Sequence, residues 1–588
     1  MSNRSQIWEA VPRVIASFRE SEYTVTTILA IFIGIFGGFG AIGFRLLIGA
    51  VQNFFYGSGA EMLETVRSIS WYWRVLIPAA GGAIVGPLVF FFAREAKGHG
   101  VPEVMEAVTL RGGLIRKRVV LVKSLASAVC IGTGGSVGRE GPIVQIGSAI
   151  GSTLGQILRV SSNRMRNLVG CGAAAGIAAT FNAPIAGAIF ALEVILGEFE
   201  IGTFGPIVLS SVMATVISRA FLGDYPAFDV PKYDLVSVWE IPAYLVMGIL
   251  AGLVALLFTK SLYKSEEMWD KLTFPEYLKP ALGGLAIGGL ALFFPHVLGV
   301  GYGSITLALL GQMSWFLLVA LVILKIVATS LTIGSGGSGG IFAPSLFIGA
   351  MMGGAYGHVV HYFFPSVTAS SGAYSLVGMG AIVAGATHAP ITAILILFEL
   401  TDDYRIILPL MMTCIISAVT ASQLNRESIY TMKLIRRGIN VKAGKEISIL
   451  KSMLVQDYMV RNVVPISENL SLNDLLHLIK EATSSYFPVL NSKEELVGIL
   501  SLRDIRPVLL EEGLMDLVIT KDIMTEAVIT LKSSQNLYDA MERFGSKDID
   551  QLPVVHKDNP KKVIGMLKRT DVIAAYNNAV LERGLEKK

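Results

Sequence analysis

The sequence predicts an α-helical protein that crosses a membrane several times, is built from two related halves, and ends in a smaller α/β domain. Of its 588 residues, 53% are hydrophobic and only 16% are charged, and the mean hydropathy is +0.60; soluble proteins average about 25% charged residues. Glycine-rich motifs recur at a nearly constant offset. From about residue 447 the composition becomes that of a soluble domain.

The membrane part divides into segments by hydropathy. Residues 1–22 are expected to form a short amphipathic helix, and their arginines favour a cytoplasmic N-terminus. The first membrane repeat is predicted at 23–222, a linker at 223–240, and the second repeat with a final helix at 241–446. Several apolar runs are too long or too interrupted for upright spans, so tilted and partial helices are expected. Basic residues near the end of the last helix place the C-terminal side in the cytoplasm as well, at a plasma or inner cell membrane.

The C-terminal part contains a tandem repeat, with units predicted at 447–515 and 516–588. In each unit an aspartate, Asp457 or Asp522, stands 31 residues before a proline (488 − 457 and 553 − 522). Short apolar strands alternate with amphipathic helices. This pattern is typical of a duplicated α/β unit.

The motif around Glu140 is the centre of the membrane part. Residues 134–142 read Gly-Gly-Ser-Val-Gly-Arg-Glu-Gly-Pro and lie between two apolar segments. An ionisable side chain at membrane depth indicates a functional site. The glycines interrupt one helix, and Pro142 suits the first turn of the next. The unpaired N–H groups of such a helix N-terminus favour an anion.

The same device recurs in the second half. Ser136-x-Gly138-x-x-x-Pro142 matches a motif that ends at Pro344, 202 residues later (344 − 142). Glu193 and Glu399 each follow an Ala-Pro-Ile motif in the same way, and both are expected to have structural roles. Paired, glycine-interrupted apolar segments are typical of a transporter's midplane site. The alternative is that the glycines only allow close helix packing.

With these motifs, the membrane part resembles the CLC family of chloride channels and chloride/proton exchangers, and the C-terminal part resembles a pair of CBS domains; a prokaryotic source is expected. The motifs that carry the resemblance are Gly138-Arg139-Glu140-Gly141-Pro142 (the family's gating glutamate), Gly340-Ile341-Phe342-Ala343-Pro344 (its second anion motif), Gly98-His99-Gly100-Val101-Pro102 and Tyr430.

The resemblance implies a homodimer in which each subunit has two inverted repeats and one anion pathway. The anion would be coordinated by the backbone N–H groups of Ile341 and Phe342 and by the Tyr430 hydroxyl. Glu140 would be the gate, because its carboxylate competes with chloride and leaves when it is protonated, so opening depends on pH. The alternative is a structural pair with Arg139. The candidate anion-binding residues are His99, Gly100, Val101, Pro102, Gly138, Arg139, Gly141, Gly340, Ile341, Phe342, Ala343 and Tyr430.

Two positions depart from the family pattern. His99 stands where the family usually has a serine; its ring either donates to the anion or turns away. Val194 stands where proton-coupled members usually carry an internal glutamate. A valine carries no proton, so we expect a passive chloride channel. A chloride/proton antiporter is the alternative, because some members that lack this glutamate are thought to exchange, and Glu193 is adjacent.

More distant functions fit less well. A CBS-regulated cation transporter would need carboxylates or carbonyls along its pathway. The loop at 334–340 lacks the Lys-Ser/Thr ending of a phosphate-binding loop, so no enzyme is expected. The three cysteines lie in apolar segments, and we expect neither disulfides nor a metal site. The net charge of +4 does not indicate a nucleic-acid surface. The expected partners are chloride and related anions, the lipid bilayer and a second subunit.

The CBS resemblance adds one ligand hypothesis, although no cofactor is required for transport. Ser501-x-x-Asp504 matches the family's ribose-binding pattern, whereas Lys568-x-x-Asp571 departs from it at the first position. Ser501, Asp504 and Asp571 are therefore candidate contacts for an adenine nucleotide. The alternative is a dimerising domain without a ligand.

Overall fold

The computed structural model describes residues 22–57, 62–224, 231, 233, 235–401, 404–437, 439, 450–451, 453–481, 485–508, 517–547 and 549–585. Residues 1–21 of the predicted surface helix, most of 225–234 in the predicted linker, and the basic residues Lys442 and Lys445 lie outside the described residues. The chain forms two compact units, Met1–Val441 and Lys442–Lys588.

The first half of the membrane unit is a series of long and short helices. Its helices are α1 (Glu22–Tyr56), α2 (Met62–Ser68), α3 (Trp71–Phe92), α4 (Val101–Leu110), α5 (Arg118–Gly132), α6 (Glu140–Leu158), α7 (Ser162–Phe181), α8 (Pro184–Phe190) and α9 (Ile201–Leu222). A π-helical turn, Ala191–Leu196, continues α8. The breaks before α4 and α6 fall at the glycine-rich motifs, because glycine accepts the left-handed backbone that a sharp turn requires.

The second half repeats this order. Its helices are α10 (Ile241–Lys271), α11 (Lys279–Phe293), α12 (Tyr302–Leu309), α13 (Trp315–Gly334), α14 (Phe342–Phe363), α15 (Ser371–Thr387), α16 (Pro390–Thr401), α17 (Ile407–Leu424) and a final α18 (Thr431–Arg436). Helix α14 packs on α15 as α6 packs on α7, and α10 packs on α17 as α1 packs on α9. The helical fold with tilted and broken segments that the sequence predicts is therefore confirmed.

Six of the described helical segments are long and apolar enough to cross a membrane: Thr24–Tyr56, Trp71–Phe92, Ile201–Leu222, Val238–Lys271, Trp315–Gly334 and Ile407–Leu424. Between 33% and 50% of each apolar window is buried inside the protein. The rest of each span exposes large apolar side chains, such as Leu46 and Phe54, which are 63% and 83% exposed. Exposed apolar faces of this kind mark contacts with a membrane or with another protein surface.

Two pairs of glycines bring neighbouring helices into backbone contact. A Cβ at Gly147 of α6 would lie 2.1 Å from the Gly172 carbonyl oxygen of α7, and a Cβ at Gly172 would lie 2.0 Å from that of Gly147. Gly349 of α14 and Gly378 of α15 repeat the arrangement, at 2.3 and 2.4 Å. Small residues of this kind allow close packing of membrane helices. Here they hold the broken helices α6 and α14 against their neighbours.

The C-terminal unit contains two small three-stranded sheets. Its elements are α19 (Val455–Tyr458), β1 (Ile466–Ser467), α20 (Leu472–Glu481), β2 (Tyr486–Leu490), β3 (Leu496–Ser501), α21 (Leu502–Ile505), α22 (Thr520–Ile523), β4 (Leu531–Lys532), α23 (Leu537–Lys547), β5 (Gln551–Val555), β6 (Val563–Lys568) and α24 (Arg569–Leu585). The strand orders are β1-β2-β3 and β4-β5-β6. In both sheets the first pair is parallel and the second antiparallel.

The two sheets of this unit exchange their flanking segments. Met459, from the first repeat, packs on Gly565 of β6, and its neighbour Val460 donates its N–H to the Met566 carbonyl at 2.8 Å. Conversely, Met524 packs on Gly498 of β3. Each hydrophobic core is therefore completed by a segment from the other repeat.

The glycine contacts give the first testable prediction. Gly172→Ala should lower the free energy of unfolding by about 1–3 kcal/mol, because its methyl group would overlap the backbone of α6. Thermal unfolding of the detergent-solubilised protein measures this. Gly289→Ala in α11 is the matched control: no atom lies within 4 Å of a Cβ there, so that variant should be unchanged or more stable by up to about 1 kcal/mol. Equal stabilities for the two variants would contradict this account of the packing.

Candidate functional site

The two broken helices α6 and α14 begin side by side. The N–H of Gly138 donates to the Gly340 carbonyl at 2.7 Å, and the N–H of Gly340 donates to the Gly138 carbonyl at 2.6 Å. Helix α6 begins two residues later at Glu140, and α14 begins at Phe342. Two helix N-termini, each with unpaired N–H groups in its first turn, therefore meet at one point in the buried interior.

The segment before α4 joins them. The N–H of Gly98 donates to the Gly337 carbonyl at 3.0 Å, and the N–H of Gly339 donates to that of Gly98 at 3.3 Å. Gly100 has φ of 84° immediately before α4 begins. A Cβ at Gly141 would lie 2.1 Å from the His99 carbonyl oxygen. The three sequence motifs thus come together, and their closest contacts are made by backbone atoms.

The carboxylate of Glu140 is turned into this meeting point. The side chain is 1% exposed, and its Oε2 lies 2.1 Å from the position a Cβ would take at Gly138, where the Ala343 nitrogen is also close. Its Oε1 accepts a hydrogen bond of 2.8 Å from the hydroxyl of Tyr302, the first residue of α12. A carboxylate in this position occupies the place that the helix N-termini offer to an anion.

Arg139 points away from the carboxylate beside it. Its Nη2 donates to the Thr180 carbonyl at 3.4 Å, and its guanidinium lies 5.2 Å from the centre of the Tyr302 ring. Both residues of the Arg139–Glu140 pair are described, and their side chains form no ion pair. The structural-pair alternative for Glu140 therefore lacks a direct ion pair, although Arg139 interacts electrostatically with the carboxylate.

His99 lies between two tyrosines. It is completely buried, and its ring centre is 6.0 Å from that of Tyr430, which is 2% exposed. Its Nε2 is 3.4 Å from the Tyr263 hydroxyl, which donates to the Ile429 carbonyl and so offers its oxygen as an acceptor. The Nδ1 atom is buried and has no partner among the described residues. A neutral ring protonated at Nε2 would leave Nδ1 as an acceptor, so donation to an anion requires the other tautomer or the imidazolium.

The remaining candidate residues for the anion site lie at the N-termini of the same helices. Gly100, Val101 and Pro102 form the start of α4, and Ile341, Phe342 and Ala343 form the start of α14. The Phe342 ring packs on that of Phe181 at 5.5 Å. The structure brings these residues, the 138–141 segment and Tyr430 into one buried cluster.

Val194 is next to a carboxylate that makes hydrogen bonds to a helix of the other half. It is buried in the π-helical turn after α8, and such turns often mark functional positions. The adjacent Glu193 accepts hydrogen bonds from the N–H groups of Ile391 and Thr392 at 3.3 and 2.7 Å, and from the Thr392 hydroxyl at 2.6 Å. It therefore caps α16 of the other half.

Glu399 of the second half makes the equivalent capping contact with a helix of the first half. Its two oxygens accept from the N–H groups of Ile185 and Ala186 at 2.9 and 2.7 Å and so cap α8. Each half thus supplies the carboxylate that satisfies the helix N-terminus of the other. The structural roles expected for Glu193 and Glu399 agree with these contacts.

Two buried lysines were not singled out from the sequence. Lys123 Nζ donates to the carbonyls of Ala96 and Gly98 at 3.0 and 2.7 Å. Lys325 Nζ repeats this in the second half with Val297 and Gly299, at 3.1 and 2.9 Å. Each therefore fixes the turn before a short helix of the site, α4 or α12. The signal was present: each is a charge within an apolar run of its helix, and they stand 202 residues apart (325 − 123).

In the C-terminal unit, Ser501 and Asp504 form a capping box at the start of α21. The Ser501 N–H and hydroxyl donate to Asp504 Oδ2 at 2.8 and 2.7 Å. Asp571 lies in the first turn of α24, after β6. The three candidates therefore occupy equivalent strand-to-helix junctions of the two repeats. The capping contact is a structural role that the sequence pattern alone did not indicate.

Comparison with known proteins identifies both units. The family model described as voltage gated chloride channel matches residues 81–422, and the CBS domain model matches residues 455–511 and 520–578. The chain is 32% identical over 416 residues to the H(+)/Cl(-) exchange transporter ClcA of Salmonella arizonae, covering 70% of this chain and 88% of that protein. It is 31% identical over 624 residues to the chloride channel protein CLC-f of Arabidopsis thaliana, covering 91% and 78%. The crystal structure of a slow cyanobacterial Cl-/H+ antiporter matches with a TM-score of 0.65 and 30% identity, covering 70% of this chain and 97% of that chain.

The reciprocal caps give a second testable prediction. Glu193→Gln and Glu399→Gln should each lower the free energy of unfolding by about 1–2 kcal/mol, because an amide offers one acceptor and no charge to the two N–H groups. Chemical unfolding of the solubilised protein measures both variants. Glu198→Gln, which affects a partly exposed ion pair with Arg166, should cost less than about 1 kcal/mol. If only one of the two caps affected stability, the symmetric role assigned to them would be wrong.

Proposed function

The chain belongs to the voltage gated chloride channel family, called CLC above, and carries two CBS domains; on this basis we propose that it exchanges chloride for protons across a membrane. Members of the family are transporters or channels rather than enzymes. The several apolar spans make this a multi-pass membrane protein.

One observation carries the proposal: the Glu140 carboxylate lies where the N-termini of α6 and α14 meet. An ionised carboxylate there competes with chloride for the same backbone N–H groups. Protonation cancels its charge and weakens its hold on those groups, so chloride enters as the proton binds. A group that alternates between anion ligand and proton carrier can couple the two movements.

The relatives support exchange over conduction. The Salmonella transporter and the cyanobacterial antiporter carry exchange or antiport in their names. A passive chloride channel remains the second candidate, because Val194 carries no proton and chloride channel proteins are among the relatives. If exchange operates, protons reach Glu140 from the inner side by a route that does not use residue 194.

The anion ligands, the oligomeric state and the nucleotide site are proposed from the resemblance to the CLC family and to CBS domains. The anion ligands are the backbone N–H groups of Ile341 and Phe342 with the Tyr430 hydroxyl, and His99 joins them when Nδ1 carries a proton. The active form is a homodimer with one pathway in each subunit and both termini in the cytoplasm. An adenine nucleotide binds the CBS unit at Ser501, Asp504 and Asp571.

Coupled flux is the third testable prediction. In liposomes with an imposed chloride gradient and the voltage set by a potassium ionophore, chloride efflux should drive protons against their gradient. Glu140→Gln should still pass chloride, but proton movement should fall to the level of empty liposomes and chloride flux should no longer rise with acidity. The reason is that an amide neither binds nor releases a proton at the site.

Glu399→Gln is the matched control, since it removes a partly buried carboxylate that caps a helix; it should retain coupling and pH dependence. Chloride flux by the wild type without uphill proton movement would establish the channel alternative. A Glu140→Gln variant with the wild-type pH profile would remove Glu140 from the gate.

Nucleotide binding is the fourth testable prediction. The full-length protein should bind ATP, and Asp504→Ala should weaken binding at least about tenfold, as loss of a charge-assisted hydrogen bond implies. Equilibrium dialysis measures this. Asp474→Ala is the matched control, because Asp474 makes the same capping contact with Ser471 at the start of α20 and does not belong to the ribose pattern. Equal ATP binding by all three proteins would leave Asp504 only its capping role.

A further inference from the structure

Tyr302 makes the only side-chain hydrogen bond to Glu140 among the described residues. Its hydroxyl donates to Glu140 Oε1 at 2.8 Å, and the two residues are 162 positions apart in the chain. Tyr302 opens α12, the second-half counterpart of α4. The anion-binding motifs described above do not include it.

We propose that Tyr302 is a positioning residue that holds the ionised carboxylate of Glu140 in the anion site and releases it on protonation. The inference rests on the proposed function, since it assigns a partner to the proposed gate. A hydrogen bond to an ionised acceptor is roughly twice as strong as one between neutral groups. The hydroxyl therefore favours the seated, charged carboxylate, and a proton on Glu140 weakens this contact.

The hydroxyl is delivered by a rigid turn. Gly301, just before Tyr302, has φ of 87°, a left-handed conformation. The carbonyls of Val297 and Gly299 on this turn both accept from Lys325 Nζ, which is completely buried and also lies 4.8 Å from the centre of the Phe347 ring. A donor held in this way is already oriented when the carboxylate returns, so the hydrogen bond forms without ordering a mobile side chain.

Other charged and titratable groups surround the pair. Arg139 stacks over the Tyr302 ring at 5.2 Å, and Arg45 of α1 is in electrostatic contact with both Arg139 and Tyr302. Tyr430, before α18, interacts electrostatically with Glu140. Lys325 of α13 lies close to Gly301, since its Nζ is 3.5 Å from the position that a Cβ on Gly301 would take. The cations favour the ionised carboxylate without making a hydrogen bond to it, so Tyr302 is the group whose contact is lost when Glu140 moves.

Tyr302→Phe tests this inference as the fifth prediction, because it removes the hydroxyl and keeps the ring. In the liposome assay, chloride flux at neutral pH should rise about tenfold, and the pH of half-maximal flux should rise by about one unit. The sign follows from the role: without the donor, the seated carboxylate is less stable and accepts a proton or leaves at lower acidity. In the Glu140→Gln background the same substitution should change nothing further.

Tyr356→Phe is the matched control; it removes a hydroxyl that donates to the Ala243 carbonyl at 2.8 Å elsewhere in the membrane unit, and its pH profile should match the wild type. If Tyr302→Phe has the wild-type profile while Glu140→Gln is flat, Tyr302 only packs and the inference fails alone. If Glu140→Gln keeps the wild-type profile, the gate proposal itself fails.

A second variant tests the same inference in case the Tyr302→Phe protein does not fold. Replacing Tyr302 with 3,5-difluorotyrosine makes the hydroxyl a stronger donor at nearly the same size, and the pH of half-maximal flux should fall. A rise or no change with a folded protein would overturn the positioning role.

Discussion

The membrane unit depends on two backbone hydrogen bonds exchanged by Gly138 and Gly340, at 2.7 and 2.6 Å. They fix the N-termini of α6 and α14 so close together that the crossing glycines have no room for a Cβ atom. A Cβ at Gly340 would lie 2.7 Å from the Gly141 nitrogen, and one at Gly141 would lie 2.1 Å from the His99 carbonyl oxygen. Glycine is required here because of contact distance, and the result is two fixed helix N-termini whose peptide N–H groups suit the anion site proposed above.

The duplicated frame and the chemistry of the site follow different rules. Helix order, the glycine pairs, the capping glutamates and the two buried lysines occur in both halves. The residues that face the meeting point do not. Glu140 has Phe342 as its counterpart at the offset of 202 (342 − 140), and Arg139 has Ile341. Symmetry therefore supplies a scaffold that each half completes for the other, and a departure from symmetry supplies the carboxylate of Glu140.

Much of the fold was predictable because periodic and repeated patterns can be read directly from an amino-acid sequence. The offset between Pro142 and Pro344 located both broken helices, and an apolar composition located the spans. Contacts between segments that are distant in the sequence have no such repeated pattern. Nothing in the sequence connects Tyr302 to Glu140. Nor does the sequence show whether Glu193 caps a helix or carries protons. Val194 excludes one route for protons but not others, and the channel expectation gave way to the exchange proposal because of the relatives named for exchange.

The exchanged segments of the CBS unit have a consequence for how it folds. Met459 completes the core around β6, and Met524 completes the core around β3. Neither repeat can then form its native core while the other is unfolded, since each would lack part of its hydrophobic interior. The pair should fold in a single cooperative transition. A protein truncated after the first repeat would retain an unprotected apolar surface and would be prone to aggregation.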